Sequence, residues 1–195
     1  MKRVVGLTGG IGVGKSTAAA VLAELGAVIV DCDQIGRDVA RSDGAAYPGM
    51  VERFGAGVVG ADGEINRPAL AAIVFNDPAA LTDLNAITHP AIDAVIAQRI
   101  AAAPDDATVI LDMAVLVESD LGKGQYSEVL VIEAPLADRL DRLAQQRGMD
   151  PADAKARIAS QVSDEERRAV ADHVVVNDGD VDVLRQRLQA WWSGT

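Results

Sequence analysis

Short apolar runs separated by longer helix-forming stretches dominate the chain, and this alternation is typical of a parallel α/β fold. The runs that predict buried strands are residues 4–7, 27–30, 108–112, 128–132 and 173–176. Helical patterns stand between them. Together they predict an α/β protein with a doubly wound, five-stranded parallel sheet.

A glycine-rich loop follows the first strand. Gly9–Ser16 reads Gly-Gly-Ile-Gly-Val-Gly-Lys-Ser, which fits the phosphate-binding pattern G-x-x-x-x-G-K-[ST] and leads into a predicted helix. Glycines let backbone amides turn toward an anion, and the positive end of the helix faces the same point. Lys15 would reach the β- and γ-phosphates, and the Ser16 hydroxyl would help to hold Mg²⁺. The loop therefore predicts a P-loop nucleoside triphosphate hydrolase-like fold that binds a nucleotide.

Acidic residues stand where two of the predicted strands end. Asp31 and Asp33 follow the second strand, and Asp112 closes the third in the form of a Walker B strand. Ligand-binding groups gather beyond the carboxyl ends of parallel strands. The alternative for each acid is a helix-capping role, which aspartate fills well. We expect at least one of the first pair to be catalytic or to organise a metal, and Asp112 to orient Mg²⁺ through water.

Residues 41–106 interrupt the strand–helix alternation with turn signals and a series of helical patterns. Helices are predicted over 47–54, 67–75 and 78–88, with a new helix that begins at Pro90. This segment predicts a helical subdomain that covers the acceptor substrate. His89 offers a polar contact there, although a hydrogen-bonded histidine at a helix junction explains it equally well.

The most basic part of the chain lies between the fourth and fifth strands. Its cationic residues are Arg139, Arg142, Arg147, Lys155, Arg157, Arg167 and Arg168. Short helices here predict a lid over 139–171, which leaves 1–40, 107–138 and 172–195 as the nucleotide-binding core. Phosphoryl transfer depends on neutralising charge, so one or two of these arginines are expected to be functional. For most of them we expect a solvated face with intrahelical ion pairs, such as Asp138 with Arg142 or Asp164 with Arg168.

Composition limits the possible partners. A net charge of −11 and a pI near 4.5 argue against a general nucleic-acid or membrane-surface binder. The single cysteine, Cys32, is expected to pack in the core and fits a reducing compartment, so cytoplasm is the expected location. No apolar run has the length of a membrane span, and no obligate protein partner is indicated.

Several further runs, taken in order with the glycine loop, resemble the dephospho-coenzyme A kinase family over nearly the full length. They are Asp31-x-Asp33 with Ile35-x-Arg37, Asp62-Gly63 with Arg67, Ile73–Phe75, Leu84–Pro90, Arg142-Leu143 with Arg147–Met149, Arg157-Ile158 with Gln161, and Ala171-Asp172 before Asn177. Two positions depart from the family pattern, because Ala114 replaces a proline and Val115 a leucine. The expected effect is on loop rigidity more than on chemistry.

The resemblance implies transfer of the γ-phosphate of ATP to the ribose 3′-hydroxyl of dephospho-coenzyme A, with Mg²⁺ as cofactor. It implies Asp33 as base, Arg142 as lid arginine and Lys15 as a third catalytic group. The implied ATP contacts are Gly9, Gly10, Ile11, Gly12, Val13, Gly14, Lys15, Ser16, Thr17, Arg142 and Asn177. The implied acceptor contacts are Thr8, Asp33, Arg37, His89, Leu116 and Glu118. The metal would lie on Ser16 directly and on Asp31 and Asp112 through water.

Two other functions remain open from the sequence. One is a different small phosphate-loop kinase acting on a nucleoside or nucleotide, against which the Asn-x-x-Thr-His-Pro run at 85–90 argues. The other is a nucleotide-dependent switch or binding module. The sequence lacks the Asn-Lys-x-Asp run of guanine-specific switches, and Asp33 favours transfer chemistry.

Overall fold

The computed structural model describes residues 2–194, and within that range five strands alternate with nine α-helices. The strands are β1 (Arg3–Thr8), β2 (Val28–Asp31), β3 (Thr108–Asp112), β4 (Glu128–Glu133) and β5 (His173–Val176). The helices are α1 (Lys15–Glu24), α2 (Cys32–Asp38), α3 (Tyr47–Phe54), α4 (Arg67–Val74), α5 (Pro78–Ala102), α6 (Leu136–Arg147), α7 (Pro151–Ala159), α8 (Asp164–Val170) and α9 (Val181–Ser193). The predicted α/β class is confirmed.

The strands form one sheet in the order β2-β3-β1-β4-β5. The pairs β1–β3, β1–β4 and β4–β5 are parallel, and Leu7 of β1 lies opposite Asp112 of β3. This register sets the carboxyl ends of β1 and its neighbour β3 side by side. The glycine loop that leaves β1 therefore begins next to the acid that closes β3.

The sheet and two helices share one apolar core. Val5 and Leu7 of β1 are fully buried in a cluster that also contains Leu22 of α1 and Leu188 of α9. Burial of such side chains is the main stabilising contribution in a domain of this size. Because α1 is packed into this core, the position of the loop at its amino end is fixed relative to the sheet.

The chain divides into two compact units. The segment that ends at Val30 and the segment that begins at Ala102 form the first, and Asp31–Ala101 forms the second. The first unit holds the glycine loop, most of the sheet and helices α6–α9. The second unit begins ahead of the predicted insertion at 41, so it also includes α2. That the helical segment 41–106 covers the acceptor substrate stays a prediction.

Within the second unit, α5 runs without interruption from Pro78 to Ala102 and contains Pro90. The prediction that Pro90 starts a new helix is therefore wrong. A proline inside a helix removes one amide donor and crowds the preceding turn, at a cost of about 3 kcal/mol. Ala80 on one side of Pro90 and Ile92 and Ile96 on the other are all buried, and this packing offsets the cost.

Among the described residues, no helix combines the length and apolar character needed to cross a bilayer.

Candidate phosphoryl-transfer site

The loop Gly9–Ser16 joins β1 to α1 in the geometry of an anion cradle. Gly12 and Gly14 have φ angles of 81° and 92°, a left-handed conformation that glycine adopts without steric cost. Gly14 is also the N-cap of α1. The first amides of a helix have no intrahelical partner, so the amides of Lys15, Ser16 and Thr17 are donors for an anion.

Lys15 forms an ion pair with Asp112 beside this cradle. The Lys15 ammonium donates to Oδ1 of Asp112, and the two side chains are 15% and 14% exposed. The parallel register of β1 and β3 brings them together. Ser16, the next residue, is exposed at the start of α1. A cation, a carboxylate and a hydroxyl are thus grouped at the helix amino end.

Arg142 of α6 and Asn177, which follows β5, meet at the loop residue Val13. The carbonyl oxygen of Val13 accepts hydrogen bonds from Arg142 at 3.3 Å and from Nδ2 of Asn177 at 2.8 Å. Arg142 also donates to the carbonyl of Asn177 at 2.9 Å. The structure therefore brings these two residues, both predicted to contact ATP, onto the phosphate loop itself.

Two arginines of the basic segment are core residues of the first unit. Arg139 is 3% exposed and Arg167 is 1% exposed, so neither belongs to the solvated face predicted for most of these arginines. Asp164 pairs with Arg139 at 3.2 Å and with Arg167 at 3.4 Å, and Arg167 also reaches Glu118 at 3.4 Å. Burial lowers the pKa of Arg139, and the neighbouring Asp164 carboxylate opposes that shift.

Within α8, Asp164 pairs with Arg167 and not with Arg168 as predicted, and Arg168 makes its contact outside the helix. Arg168 donates from Nε to both carboxylate oxygens of Glu133, at 2.7 and 2.9 Å, which ties α8 to the end of β4. Glu133 is itself buried. The pKa of Arg168 is raised because the Glu133 carboxylate accepts this hydrogen bond and adds its negative charge. A buried carboxylate requires a charged partner, and Arg168 supplies it to Glu133.

The second unit carries Asp31, the last residue of β2, and Asp33. Asp31 is the N-cap of α2, and its carboxylate accepts from the amide of Gln34 at 2.7 Å, so Asp31 fills the helix-capping role that was the alternative for it. Asp33 lies half-buried in the first turn of α2, and Arg37 lies one turn later, exposed. Cys32 is buried, as expected for core packing.

His89, the other predicted acceptor contact of this unit, is half-buried within α5. It sits inside one continuous helix and not at a junction between two. Its predicted contact with the acceptor stays a prediction.

Among the described residues, no group of three or more histidine, cysteine, aspartate or glutamate side chains is placed to hold a metal ion. Mg²⁺ in phosphoryl-transfer sites is held mainly by phosphate oxygens and waters, with one or two protein oxygens. The exposed Ser16 hydroxyl and the Asp112 carboxylate offer oxygen ligands of the kind that Mg²⁺ prefers, so the residues at the cradle fit such an ion.

Comparison with known proteins decides the family. The sequence profile of dephospho-CoA kinase matches residues 3–182, which is most of the chain. The chain belongs to the dephospho-CoA kinase family. The dephospho-CoA kinase of Leifsonia xyli subsp. xyli is 46% identical over 195 residues, covering 98% of this chain and 98% of that protein.

Two further matches show how far the likeness to the family extends. The dephospho-CoA kinase of Mycolicibacterium paratuberculosis is 48% identical over 189 residues, covering 97% of this chain but 46% of that protein. The chain thus spans about half the length of that relative. The crystal structure of TT1252 from Thermus thermophilus superposes with a TM-score of 0.84 at 31% identity, covering 99% of this chain and 97% of that one. The predicted P-loop kinase fold is confirmed.

The loop after β3, where this chain departs from the dephospho-CoA kinase pattern, packs onto β1. Leu116 is 5% exposed. Its Cδ1 atom would lie only 2.5 Å from a Cβ added at Gly6, so Leu116 fills the space that the missing side chain leaves. Thr8 is fully buried, with its hydroxyl 3.5 Å from the Ala114 carbonyl oxygen. Val115 is 44% exposed, so the change from leucine falls on the surface. The acceptor contacts predicted for Thr8, Leu116 and Glu118 stay predictions.

Gln161 is a member of the dephospho-CoA kinase motif set to which the sequence assigned no task. Its Oε1 atom accepts a hydrogen bond of 2.8 Å from the amide of Ile11 in the phosphate loop. Arg139 likewise donates to the carbonyl of Ile11, at 3.0 Å. The only signals in the sequence were the run that links Arg157-Ile158 to Gln161 and the concentration of positive charge.

Proposed function

We propose that this member of the dephospho-CoA kinase family transfers the γ-phosphoryl group of ATP to the ribose 3′-hydroxyl of dephospho-CoA. The products are coenzyme A and ADP, and the step is the last one in coenzyme A synthesis. In the transfer, the bond between the γ-phosphorus and the β–γ bridging oxygen breaks and a bond to the acceptor oxygen forms. The single observation that carries the proposal is the Lys15–Asp112 pair at a phosphate loop in a chain of this family.

The donor is ATP, held by the loop residues 9–17. Amides of the first turn of α1 would bind the phosphate oxygens, and Lys15 would neutralise charge on the transferring group. Arg142 would act as the lid arginine from α6, and Asn177 would hold the adenine side. Their shared acceptor, the Val13 carbonyl, supports this arrangement, because it joins both to the loop.

The cofactor we propose is Mg²⁺, which would neutralise negative charge on the β- and γ-phosphate oxygens when bound with ATP. Ser16 would bind it through its hydroxyl, and Asp112 and Asp31 would act through water. Asp112 already contacts Lys15, so it would orient the lysine and the ion's water shell together.

The acceptor hydroxyl would be oriented by Asp33, which takes up its proton as the new phosphorus–oxygen bond forms. A carboxylate of ordinary basicity suffices, because proton loss can lag behind the loose transition state of phosphoryl transfer. Asp33 is supported by its place in the first turn of α2, directly after β2, while its neighbour Asp31 is engaged in capping. Arg37, His89, Thr8, Leu116 and Glu118 would complete the acceptor contacts.

We also propose that the protein acts in the cytoplasm, where ATP is available and a lone thiol such as Cys32 stays reduced. Its partners would be the two substrates, without nucleic acid, membrane or an obligate protein partner.

The direct test is turnover with ATP, Mg²⁺ and dephospho-CoA. ADP release should depend on the acceptor, and mass spectrometry should find a product heavier by one phosphoryl group that matches coenzyme A. ADP release at the same rate without acceptor would contradict the proposal.

A further inference from the structure

Ile11 in the phosphate loop is held through both of its backbone polar groups by side chains from the basic segment. Its amide donates to Oε1 of Gln161 at 2.8 Å, and its carbonyl accepts from Nε of Arg139 at 3.0 Å. Gln161 lies 150 residues from Ile11 in sequence and directly follows Ser160, the C-cap of α7. We call this pair of hydrogen bonds the Ile11 latch.

The latch has a rigid support on its arginine side. The Arg139 side chain is 4% exposed, and its guanidinium pairs with Asp164, the first residue of α8. A capping box fixes the start of that helix: Ser163 accepts from the amide of Glu166, and the Glu166 carboxylate accepts from the amide of Ser163 at 2.8 Å. The same guanidinium fills the space beside Gly10, where a Cβ would stand 2.6 Å from Arg139.

The latched amide of Ile11 is not one of the first-turn amides of α1 that we propose to bind the phosphate oxygens, and any contact of Ile11 with ATP would use other atoms. The first-turn amides run from Lys15 to Thr17, whereas Ile11 is on the limb of the loop that leaves β1. Gln161 therefore does not need to leave when phosphate binds. A loop with glycines at positions 9, 10, 12 and 14 loses much conformational entropy when it is ordered. Fixing Ile11 in advance reduces the part of the loop that nucleotide binding must order.

We propose that Gln161 is a positioning residue for ATP, which acts by holding the Ile11 amide so that the phosphate loop is set in its binding shape before the nucleotide arrives. This inference rests on the proposed function, because it assigns the donor site to ATP. Gln161 itself touches neither substrate. Its effect should appear in nucleotide affinity and not in the use of the acceptor.

The test compares Gln161→Met, which keeps side-chain length but loses the acceptor oxygen, with Gln161→Glu, which keeps an acceptor. Gln145→Met, on the exposed face of α6, is the matched control. Calorimetry should show about five- to tenfold weaker ATP binding for Gln161→Met, the size of one net hydrogen bond. The KM for dephospho-CoA should stay the same. Amide exchange at Ile11, followed by NMR, should be faster in Gln161→Met and stay protected in Gln161→Glu.

Wild-type ATP affinity in Gln161→Met would overturn the inference, and so would equal weakening of ATP and acceptor use. Unprotected Ile11 amide in the wild-type protein would overturn it as well, even if Gln161→Met failed to fold. The proposed function is tested separately: a wild-type chain that binds ATP but leaves dephospho-CoA unchanged refutes the kinase activity without affecting the latch measurement.

Discussion

Lys15 and Asp112 form an ion pair that joins the first turn of α1 to the end of β3, with both side chains largely withdrawn from solvent. The pair places a cation at the point where the phosphate loop turns into the helix. It also holds the Asp112 carboxylate at the amino end of α1. Two sequence motifs separated by nearly a hundred residues are in this way one structural feature.

Replacing Lys15 with alanine removes the charge that would meet the transferring phosphate. We expect kcat/KM for ATP to fall by about 10²- to 10³-fold, the usual loss for one preorganised charge-stabilising group. A coupled ADP-release assay measures this directly. Lys123→Ala is the matched control, because Lys123 also pairs with an aspartate, Asp120, but on the surface. Equal activity of the two variants would refute the role of Lys15.

Asp33→Asn should separate binding from transfer. The amide keeps the size of the side chain but cannot take up a proton, so ATP affinity should be retained while kcat falls at least about 10²-fold. Calorimetry gives the affinity, and rapid-quench kinetics the transfer rate. Asp38→Asn, on the exposed side of the same helix, should leave both unchanged. Near-normal turnover of Asp33→Asn would show that another group orients the acceptor.

Gly14→Ala should weaken nucleotide binding through two effects. Gly14 has a φ of 92°, and a left-handed conformation costs alanine about 1–2 kcal/mol. An added Cβ would also overlap Nδ2 of Asn177, which bonds to Val13. We expect an ATP affinity at least about tenfold lower, measured by calorimetry.

Gly124→Ala is the control for the loop glycine. Gly124 has a φ of 82°, but a Cβ there would meet nothing within 4 Å. This variant should show the strain as a lower melting temperature and bind ATP as the wild type does. If Gly124→Ala lost as much ATP affinity as Gly14→Ala, the contact between loop and Asn177 would not be the cause.

The amino ends of β1 and β4 predict an acid-sensitive contribution to stability. Arg3 donates to Glu128 at 2.9 and 2.7 Å, and these hydrogen bonds hold the pKa of Glu128 below its usual 4.5 while partial burial opposes the shift. A lowered carboxyl pKa stabilises the fold above the unfolded value. This stabilisation should therefore decline as pH falls through 4.5 toward the folded pKa.

Urea unfolding between pH 6 and pH 3 measures that decline. Glu128→Gln should lower stability at pH 6 and flatten the pH dependence, whereas Glu52→Gln, an exposed change on α3, should preserve it. An unaltered slope in Glu128→Gln would assign the acid sensitivity to other groups.

The strands and the phosphate loop could be predicted because their determinants are local. Apolar runs bounded by turns gave β3 and β5 to the residue, and the loop pattern placed Lys15 and Ser16 at the start of α1. The buried positions of Arg139 and Arg167 could not be predicted, since only the folded chain brings Asp164 and Glu118 to them. The same applies to α5, where tertiary packing carries the helix through Pro90.

A comparison of acceptor substrates tests most directly the central claim, that the chain phosphorylates dephospho-CoA. ADP release should be measured with dephospho-CoA, with nucleoside monophosphates and with nucleosides at matched concentrations, under saturating ATP and Mg²⁺. We predict that dephospho-CoA is preferred over every other acceptor and that NMR finds the new phosphate on its ribose 3′-oxygen. Equal or faster turnover of a nucleoside monophosphate would contradict that claim.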